Sequence, residues 1–87
     1  MKRGDVIRAI KAAGRLGAAR MTTHAIDEIA SKHLGNIADA EINAALATAG
    51  TFTRQPNGRW LVYSPTFALH VVVIVTDSDD VIIWTVY

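Results

Sequence analysis

Three histidines are the residues of this chain best suited to proton transfer, because an imidazole exchanges protons near neutral pH. His24, His33 and His70 are separated by 9 and 37 residues, a spacing that matches no metal-ligand motif, and the sequence has no cysteine. A zinc site, a disulfide scaffold and a cysteine nucleophile are therefore not expected. The histidines indicate acid–base chemistry that needs no metal and no other cofactor.

His33 stands beside Lys32 and two residues before Gly35, where a helix is predicted to end. The C-terminal end of a helix stabilises a protonated imidazole, so this pair would place two cationic groups at one spot that suits a phosphate. His24 falls in the first turn of the same helix, where the helix dipole disfavours its protonated form. It is either a second candidate base or a residue of the cap region.

Two hydroxyl-bearing residues end the chain, in a segment whose alternating pattern predicts a strand over residues 81–87. Strict alternation would put Thr85 and Tyr87 on one face, pointing into a concavity, and would turn Trp84 to the opposite face under the helices. The alternative is a strand end that emerges into solvent, with Thr and Tyr present as good strand formers. His70, among aliphatic residues on the preceding strand, is expected to have a structural role in the core or at an edge.

The available residue types, Lys, His, Arg, Thr and Tyr, fit the cleavage of RNA without a metal. That reaction needs a base for the 2′-hydroxyl proton, donors for the charge of the phosphorane, and an acid for the leaving 5′-oxygen. The sequence has no Gly-x-Ser-x-Gly motif, phosphate-binding loop or acidic cluster suited to magnesium, and the acidic run at 77–80 is typical of a turn.

Three helices are predicted in the first fifty residues from a hydrophobic period near 3.6. Their expected limits are Asp5 to Gly14 or Gly17, Thr23 (as the cap) to Gly35, and about Asp39 to Gly50. The second helix is expected to bury Ile26, Ile29, Ala30 and His33, and the third to bury Ile42, Ala45 and Leu46.

From Thr51 onward the period changes to two, or to continuous apolar residues, and predicts strands at 51–54, 59–63, 67–76 and 81–87. The alternation over 59–63 places Arg59, Leu61 and Tyr63 on one side of the strand, and Pro56-Asn57-Gly58 is typical of a turn before it. The expected fold class is α+β, with three N-terminal helices packed on one face of a four-stranded antiparallel sheet. A chain of 87 residues is long enough for one domain. We therefore expect a single domain over 1–87, helical to about residue 50 and a sheet thereafter.

The net charge is only +1, but the basic residues are concentrated at the start of the chain. Residues 1–20 hold six basic residues against one acidic residue, whereas residues 21–87 hold three against seven. This asymmetry indicates a basic face for nucleic acid or an acidic protein, the alternative being a solvated helix face. The candidate RNA-binding residues are Lys11, Arg15, Arg20 and Arg54. No apolar run is long enough for a membrane span, and no membrane partner is expected.

About residues 20–87 resemble the superfamily of bacterial ribonuclease toxins that contains barnase-, EndoU-, colicin- and RelE-like domains. The segment THAIDEIASKHLGNIADAEI looks like their helix-loop-helix, GRWLVYS like a strand with a basic residue, and VIIWTVY like their last strand, which ends in Thr-x-Tyr. Within this group, the chain looks most similar to contact-dependent growth inhibition toxins, the C-terminal domains of CdiA-type effectors.

The resemblance implies a metal-independent ribonuclease toxin that cleaves structured RNA, with transfer RNA as the expected substrate. It implies a cleavage site with Lys32 and His33 opposite Thr85 and Tyr87, and with Arg59 stabilising the phosphate. Arg54 is the alternative to Arg59, and His24 is the secondary candidate for the base.

The implied partners are RNA and a cognate immunity or antitoxin protein. Elongation factor Tu is a further candidate, because a chain with few cations would need help in presenting RNA. The implied location is that of an exported effector fragment acting in the cytoplasm of a target bacterium.

Two other functions remain open from the sequence. The first is a RelE-like toxin of a toxin–antitoxin pair, cytoplasmic and acting on messenger RNA at the ribosome. The second is a non-enzymatic protein-binding module, such as an immunity or adaptor protein. A short free-standing gene beside an antitoxin gene would favour the toxin–antitoxin pair, whereas a very long reading frame would favour the exported effector. An unaltered phenotype when the protein is expressed alone in bacteria would favour the binding module.

Overall fold

The computed structural model describes residues 2–31 and 39–87, and within these ranges the chain forms three helices and five strands. The elements in chain order are α1 (Arg3–Leu16), β1 (Arg20–Met21), α2 (Thr23–Ser31), α3 (Asp39–Ala47), β2 (Thr51–Arg54), β3 (Trp60–Ser64), β4 (Leu69–Val75) and β5 (Val81–Val86). The predicted α+β class is confirmed. None of the helices in the described ranges has the length and hydropathy needed to cross a membrane.

The sheet is mixed and five-stranded, so the expected four-stranded antiparallel sheet is wrong in detail. The strand order is β1-β5-β4-β3-β2, and β2 to β5 form the predicted antiparallel meander. The additional strand, β1, runs parallel to β5, with Arg20 opposite Ile82 and Met21 opposite Ile83. Two residues carry too little alternation for this strand to be recognised in the sequence.

The inner face of the sheet packs against α1 and α3, which also pack against each other. The expectation that all three helices lie on one face is wrong, because α2 packs against β1 and β5 at the edge of the sheet. Ile42, Ala45 and Leu46 of α3 are fully buried, as predicted. The sheet contributes to the same core through Phe52, Trp60, Val62, Leu69, Val71, Val73, Val81, Ile83 and Val86.

Two glycines set the limits and the packing of α1. Of the two glycines expected to end the helix, Gly17 does so, with φ at +65° and its N–H bonded to the carbonyls of Ala13 and Gly14. Gly14 lies inside the helix, where the backbone of α3 comes close. A Cβ added at Gly14 would lie 2.5 Å from both the carbonyl oxygen of Asn43 and the nitrogen of Ala47. The absence of a side chain therefore sets how closely the two helices approach.

α2 is capped by Thr22, whereas the sequence suggested Thr23. Thr22 Oγ1 accepts a hydrogen bond from the Ala25 N–H at 3.0 Å and donates one to the Ile83 carbonyl at 3.2 Å. One threonine thus caps the helix and links it to β5 by a hydrogen bond.

The buried side of α2 differs from the predicted one. Ile26, expected to be buried, is 52% exposed, and Ala25 is buried instead. The side chains of Ile29 and Ala30, and all of His33 and Gly35, lie outside the described residues.

β5 departs from strict alternation, and this reverses the predicted orientation of Trp84. Thr85 lies opposite Val72 and Ile83 opposite Val73, so Trp84 is an extra residue in a β-bulge. Beyond the bulge Val86 points into the core and is fully buried. Trp84 follows the inward Ile83 and is directed outward together with Thr85.

The register defines a second face, here called the outer face, which is turned away from α1 and α3. It is formed by Leu61, Tyr63, His70, Val72, Ile74, Ile82, Trp84, Thr85 and Tyr87. The expected sharing of one strand side by Arg59, Leu61 and Tyr63 agrees with this register. Val72 is buried on the outer face, whereas most of its other residues are half-buried.

The close approach of α3 to Gly14 of α1 can be tested by its effect on stability. Gly14→Ala is expected to lower the free energy of unfolding by about 3 kcal/mol, because the new methyl group meets backbone atoms that cannot rotate away. Gly4→Ala, in the same helix with nothing within 4 Å, is the matched control and should leave stability unchanged or raise it by up to about 1 kcal/mol. Urea unfolding followed by circular dichroism measures both, and equal stabilities for the two variants would contradict this packing.

Candidate functional site

A row of three aromatic rings crosses the outer face at the end of β5. The ring of His70 lies 4.6 Å from that of Tyr63 and 4.8 Å from that of Tyr87, and it is nearly parallel to Tyr87 at an interplanar angle of 4°. Backbone hydrogen bonds of 2.8 and 2.9 Å join His70 and Tyr87 in both directions. The strand pairing therefore fixes the row, and Tyr87 at its end is 48% exposed.

A second cluster surrounds the indole of Trp84. The His24 ring stacks on it at 4.8 Å with an interplanar angle of 25°, and the guanidinium carbon of Arg59 lies 4.0 Å from the ring centroid. The Arg59 contact is a cation–π interaction, which contributes about 0.5–1 kcal/mol at an exposed position. One indole thus brings together an imidazole and a guanidinium from distant parts of the chain.

Arg59 is positioned by the turn between β2 and β3. This turn contains Pro56, Asn57 and Gly58, as predicted. Its carbonyl accepts a hydrogen bond from the Gln55 N–H at 2.8 Å, and its own N–H donates to Asn57 Oδ1 at 3.0 Å. Gly58 has φ at +83°, a conformation that glycine adopts without strain. Both backbone polar groups of Arg59 are therefore fixed while its side chain reaches Trp84.

His24 is held by its position in the first turn of α2 and by a neighbouring carboxylate. Its Nε2 lies 3.4 Å from Glu28 Oε1, one helical turn further along. The side chain of His24 is 47% exposed. Glu28 and Trp84 thus fix the orientation of an imidazole that solvent can still reach.

Thr85 lies between the two clusters. It is adjacent to Trp84 in the chain and two residues from Tyr87, and it stands opposite Val72 on β4. Its Oγ1 is shielded from solvent and has no hydrogen-bond partner in residues 2–31 and 39–87. An unpaired buried hydroxyl costs about 1–3 kcal/mol, which a ligand that bonds to it would offset.

Four of the sequence-predicted catalytic residues, His24, Arg59, Thr85 and Tyr87, come together on the outer face or against it. Lys32 and His33 lie outside the described residues, so their predicted place at the cleavage site stays a prediction.

The candidate RNA-binding residues are divided between the two sides of the sheet. Arg20 is exposed and pairs with Ile82, at the β1 edge of the outer face. Lys11 and Arg15 belong to α1 in the opposite layer, with the Lys11 ammonium 5.9 Å from the ring of the inward Phe52. Arg54 is exposed at the end of β2. The basic N-terminal helix therefore does not border the outer face.

Sequence reasoning missed three members of these clusters, namely His70, Tyr63 and Trp84. His70 was expected to be structural, but it is half-buried at the centre of the aromatic row. Pairing Tyr63 with His70 across β3 and β4 would have revealed the row, but the sequence does not give the register. Trp84 was assigned to the wrong face because the bulge has no local signature.

The arrangement is suited to acid–base chemistry on an anion. It combines two imidazoles, a fixed guanidinium and hydroxyl groups on one side of a sheet. In the part of the chain that is described, no three His, Asp or Glu side chains converge as metal ligands would. Comparison with protein-family models, curated proteins and solved structures finds no match for this chain.

The contacts of Trp84 can be tested by nuclear magnetic resonance. Trp84→Ala should move the Arg59 side-chain and His24 ring proton signals towards unstructured values, because the ring current of the indole is lost. Trp84→Phe should retain part of these shifts. Arg3, whose guanidinium carbon lies 5.6 Å from the Trp60 ring on the inner side, is the internal control and should not respond. Unchanged Arg59 and His24 signals in a folded Trp84→Ala variant would contradict the site geometry.

Proposed function

We propose that this chain is a metal-independent ribonuclease toxin whose reaction takes place on the outer face of the sheet. The observation that supports it best is the convergence of His24, Arg59 and Thr85 around Trp84, beside the row that contains His70 and Tyr87. These are the groups required for attack of a 2′-hydroxyl on the neighbouring phosphodiester.

Arg59 would bind the scissile phosphate. A guanidinium offers several N–H donors in a plane and retains its charge, so it stabilises the additional negative charge of a phosphorane. Stacking on Trp84 and the two backbone hydrogen bonds of the turn restrict its orientation before the substrate arrives. Rotation of the shielded Thr85 side chain would let its Oγ1 donate a further hydrogen bond to the same phosphate and gain the partner that it lacks.

Two imidazoles would transfer the protons. His24, oriented by Glu28, would take the proton from the 2′-hydroxyl as the 2′-oxygen attacks phosphorus. His70 would donate a proton to the 5′-oxygen as its bond to phosphorus breaks, which leaves a 2′,3′-cyclic phosphate and a 5′-hydroxyl. Lys32 and His33 remain predicted members of this site.

The exposed ring of Tyr87 would hold an unpaired base beside the cleaved bond. Nucleobases stack on aromatic side chains with little dependence on sequence, at about 1–3 kcal/mol per base. Unpaired bases occur in the loops of structured RNA, and transfer RNA is our proposed substrate.

We propose a cognate immunity protein as the inhibitor of this chain. We also propose elongation factor Tu as a partner that presents the RNA, because cations are few among the described residues of this face.

Cleavage of purified transfer RNA tests the proposal, with and without elongation factor Tu. His24→Ala should lower the cleavage rate by about 10²–10⁴-fold, the usual contribution of a proton-transfer group. Arg59→Ala should lower it by about 10²–10³-fold, the typical cost of losing one group that stabilises the transition-state charge.

Arg3→Ala is the matched control for Arg59→Ala. Arg3 also lies over a tryptophan, Trp60, but in the helical layer, so its loss should leave the rate within about threefold of wild type. Transfer RNA left whole by the wild-type chain under both conditions would overturn the proposal. So would equal activity of the Arg59→Ala and Arg3→Ala variants.

A further inference from the structure

β2 forms an open edge of the sheet. Of the two edge strands, β1 is only two residues long and is contacted by α2, whereas β2 pairs with β3 alone among the described residues. A strand in this position carries backbone N–H and C=O groups to which a further strand can bond. None of the groups assigned to the proposed reaction lies on β2, so a role for this edge does not depend on RNA cleavage.

The hydrogen bonds between β2 and β3 show which backbone groups of β2 face the open side. The Gln55 N–H donates to the Arg59 carbonyl at 2.8 Å, and the register continues this pairing at Thr53. In an antiparallel pair, the residues between such bonded positions direct their backbone groups away from the partner strand. Phe52 and Arg54 therefore point their N–H and C=O groups to the open side.

Three cations gather at the same edge, on the helical side of the sheet. Arg54 is exposed and shares its side of β2 with Phe52. The Lys11 ammonium lies 5.9 Å from the Phe52 ring. The Arg3 guanidinium carbon lies 5.6 Å from the ring of Trp60, which is opposite Arg54. None of the three cations has a carboxylate of the described ranges within 4.0 Å.

The chemistry of this edge favours an acidic polypeptide over RNA and over a second copy of the chain. A peptide strand offers N–H and C=O groups at the spacing of β2, and so matches both kinds of free backbone group. The phosphates of RNA are acceptors only, and would leave the carbonyls of the edge without partners. A second copy would bring the same cations to the same edge, and like charges on opposite strands are destabilising.

We propose that β2 binds an extended acidic segment of another protein, which joins the sheet as an antiparallel strand. The backbone of the segment bonds to that of Phe52 and Arg54. Residues directly opposite each other in an antiparallel pair lie on the same face, so acidic side chains at alternate positions reach Arg54 and Lys11 on the helical side. The intervening positions lie beside Thr51 and Thr53. The recognised sequence thus alternates acidic residues with small or β-branched ones.

Titration of the ¹⁵N-labelled full chain with a synthetic peptide, acetyl-Thr-Glu-Thr-Glu-Thr-Glu-Thr-amide, tests the proposal. Nuclear magnetic resonance should show saturable shift changes along β2, with a dissociation constant below about 1 mM. The amide N–H groups of Phe52 and Arg54 should become protected from hydrogen exchange, because they gain partners in the added strand. The amide of Thr53, already bonded to β3, should be unaffected.

Peptides methylated on backbone nitrogens separate strand addition from simple charge attraction. Methylation of the three glutamate nitrogens removes the donors that face β2, and should weaken binding by about tenfold or more. Methylation of the threonine nitrogens is the matched control. Those N–H groups face away from β2, so binding should remain within about threefold of the unmodified peptide.

The contribution of charge is tested on the protein. Arg54→Glu should raise the dissociation constant by about tenfold or more, because the new carboxylate repels those of the peptide. Arg20→Glu is the matched control, since Arg20 is exposed on the opposite edge strand, four strand spacings or about 19 Å away. That distance exceeds the screening length of about 10 Å at 0.1 M salt, so binding should change by less than about twofold.

Several outcomes would overturn the proposal, provided that circular dichroism shows each variant folded. They are no binding of the unmodified peptide up to about 5 mM, equal binding of the two methylated peptides, and equal binding by the two arginine variants. Protection of Phe52 and Arg54 that rises with protein concentration without peptide would assign the edge to a second copy instead. Equal binding of both methylated peptides, together with binding of a 2′-O-methyl RNA oligonucleotide at this edge, would assign it to RNA.

Discussion

The bulge in β5 is the constraint on which the rest of the outer face depends. By inserting Trp84 as an extra residue, it allows Val81, Ile83 and Val86 all to reach the core although strict alternation would turn Val86 outward. The same insertion directs Trp84 and Thr85 outward side by side. Because Trp84 receives both His24 and Arg59, the cluster exists only in this register of the strand.

The helical layer and the outer face divide the molecule into two parts with different roles. α1 and α3 bury the inner face of the sheet through a close backbone contact at Gly14, and most of the basic residues of the N-terminal segment lie in that layer. Among the described residues the outer face has fewer cations, but Arg59 is held by stacking and by its turn. The charge asymmetry of the sequence therefore does not translate into a basic surface around the candidate site.

Much of the fold could be predicted because the relevant signals are local. The period of 3.6 predicted the buried residues of α3, and of the two glycines offered as the end of α1, Gly14 and Gly17, the second ends it. The Pro56-Asn57-Gly58 sequence, typical of a turn, predicted the break before β3. β1 was missed because two residues carry no period. The capping residue of α2 was misplaced by one position because two threonines are adjacent and both are suitable caps.

The candidate site was only partly predictable, because its assembly depends on long-range pairing. Alternation over residues 59–63 correctly put Arg59 and Tyr63 on one side, but the row that joins Tyr63 to His70 and Tyr87 depends on register between strands. Trp84 was assigned to the wrong face because only the pairing with β4 shows that β5 has one residue too many. Sequence patterns identify residue types suited to a reaction, whereas the strand register determines which of them meet.

The most direct measurement of the central claim, that RNA binds to the outer face, is a nuclear magnetic resonance titration with an RNA oligonucleotide. A strand with 2′-O-methyl groups cannot be cleaved through the 2′-oxygen and remains intact during the experiment. The account predicts saturable shift changes at Arg59, Thr85 and Tyr87, with Arg15 in the helical layer unaffected. Shift changes confined to α1, or none at any concentration, would contradict it.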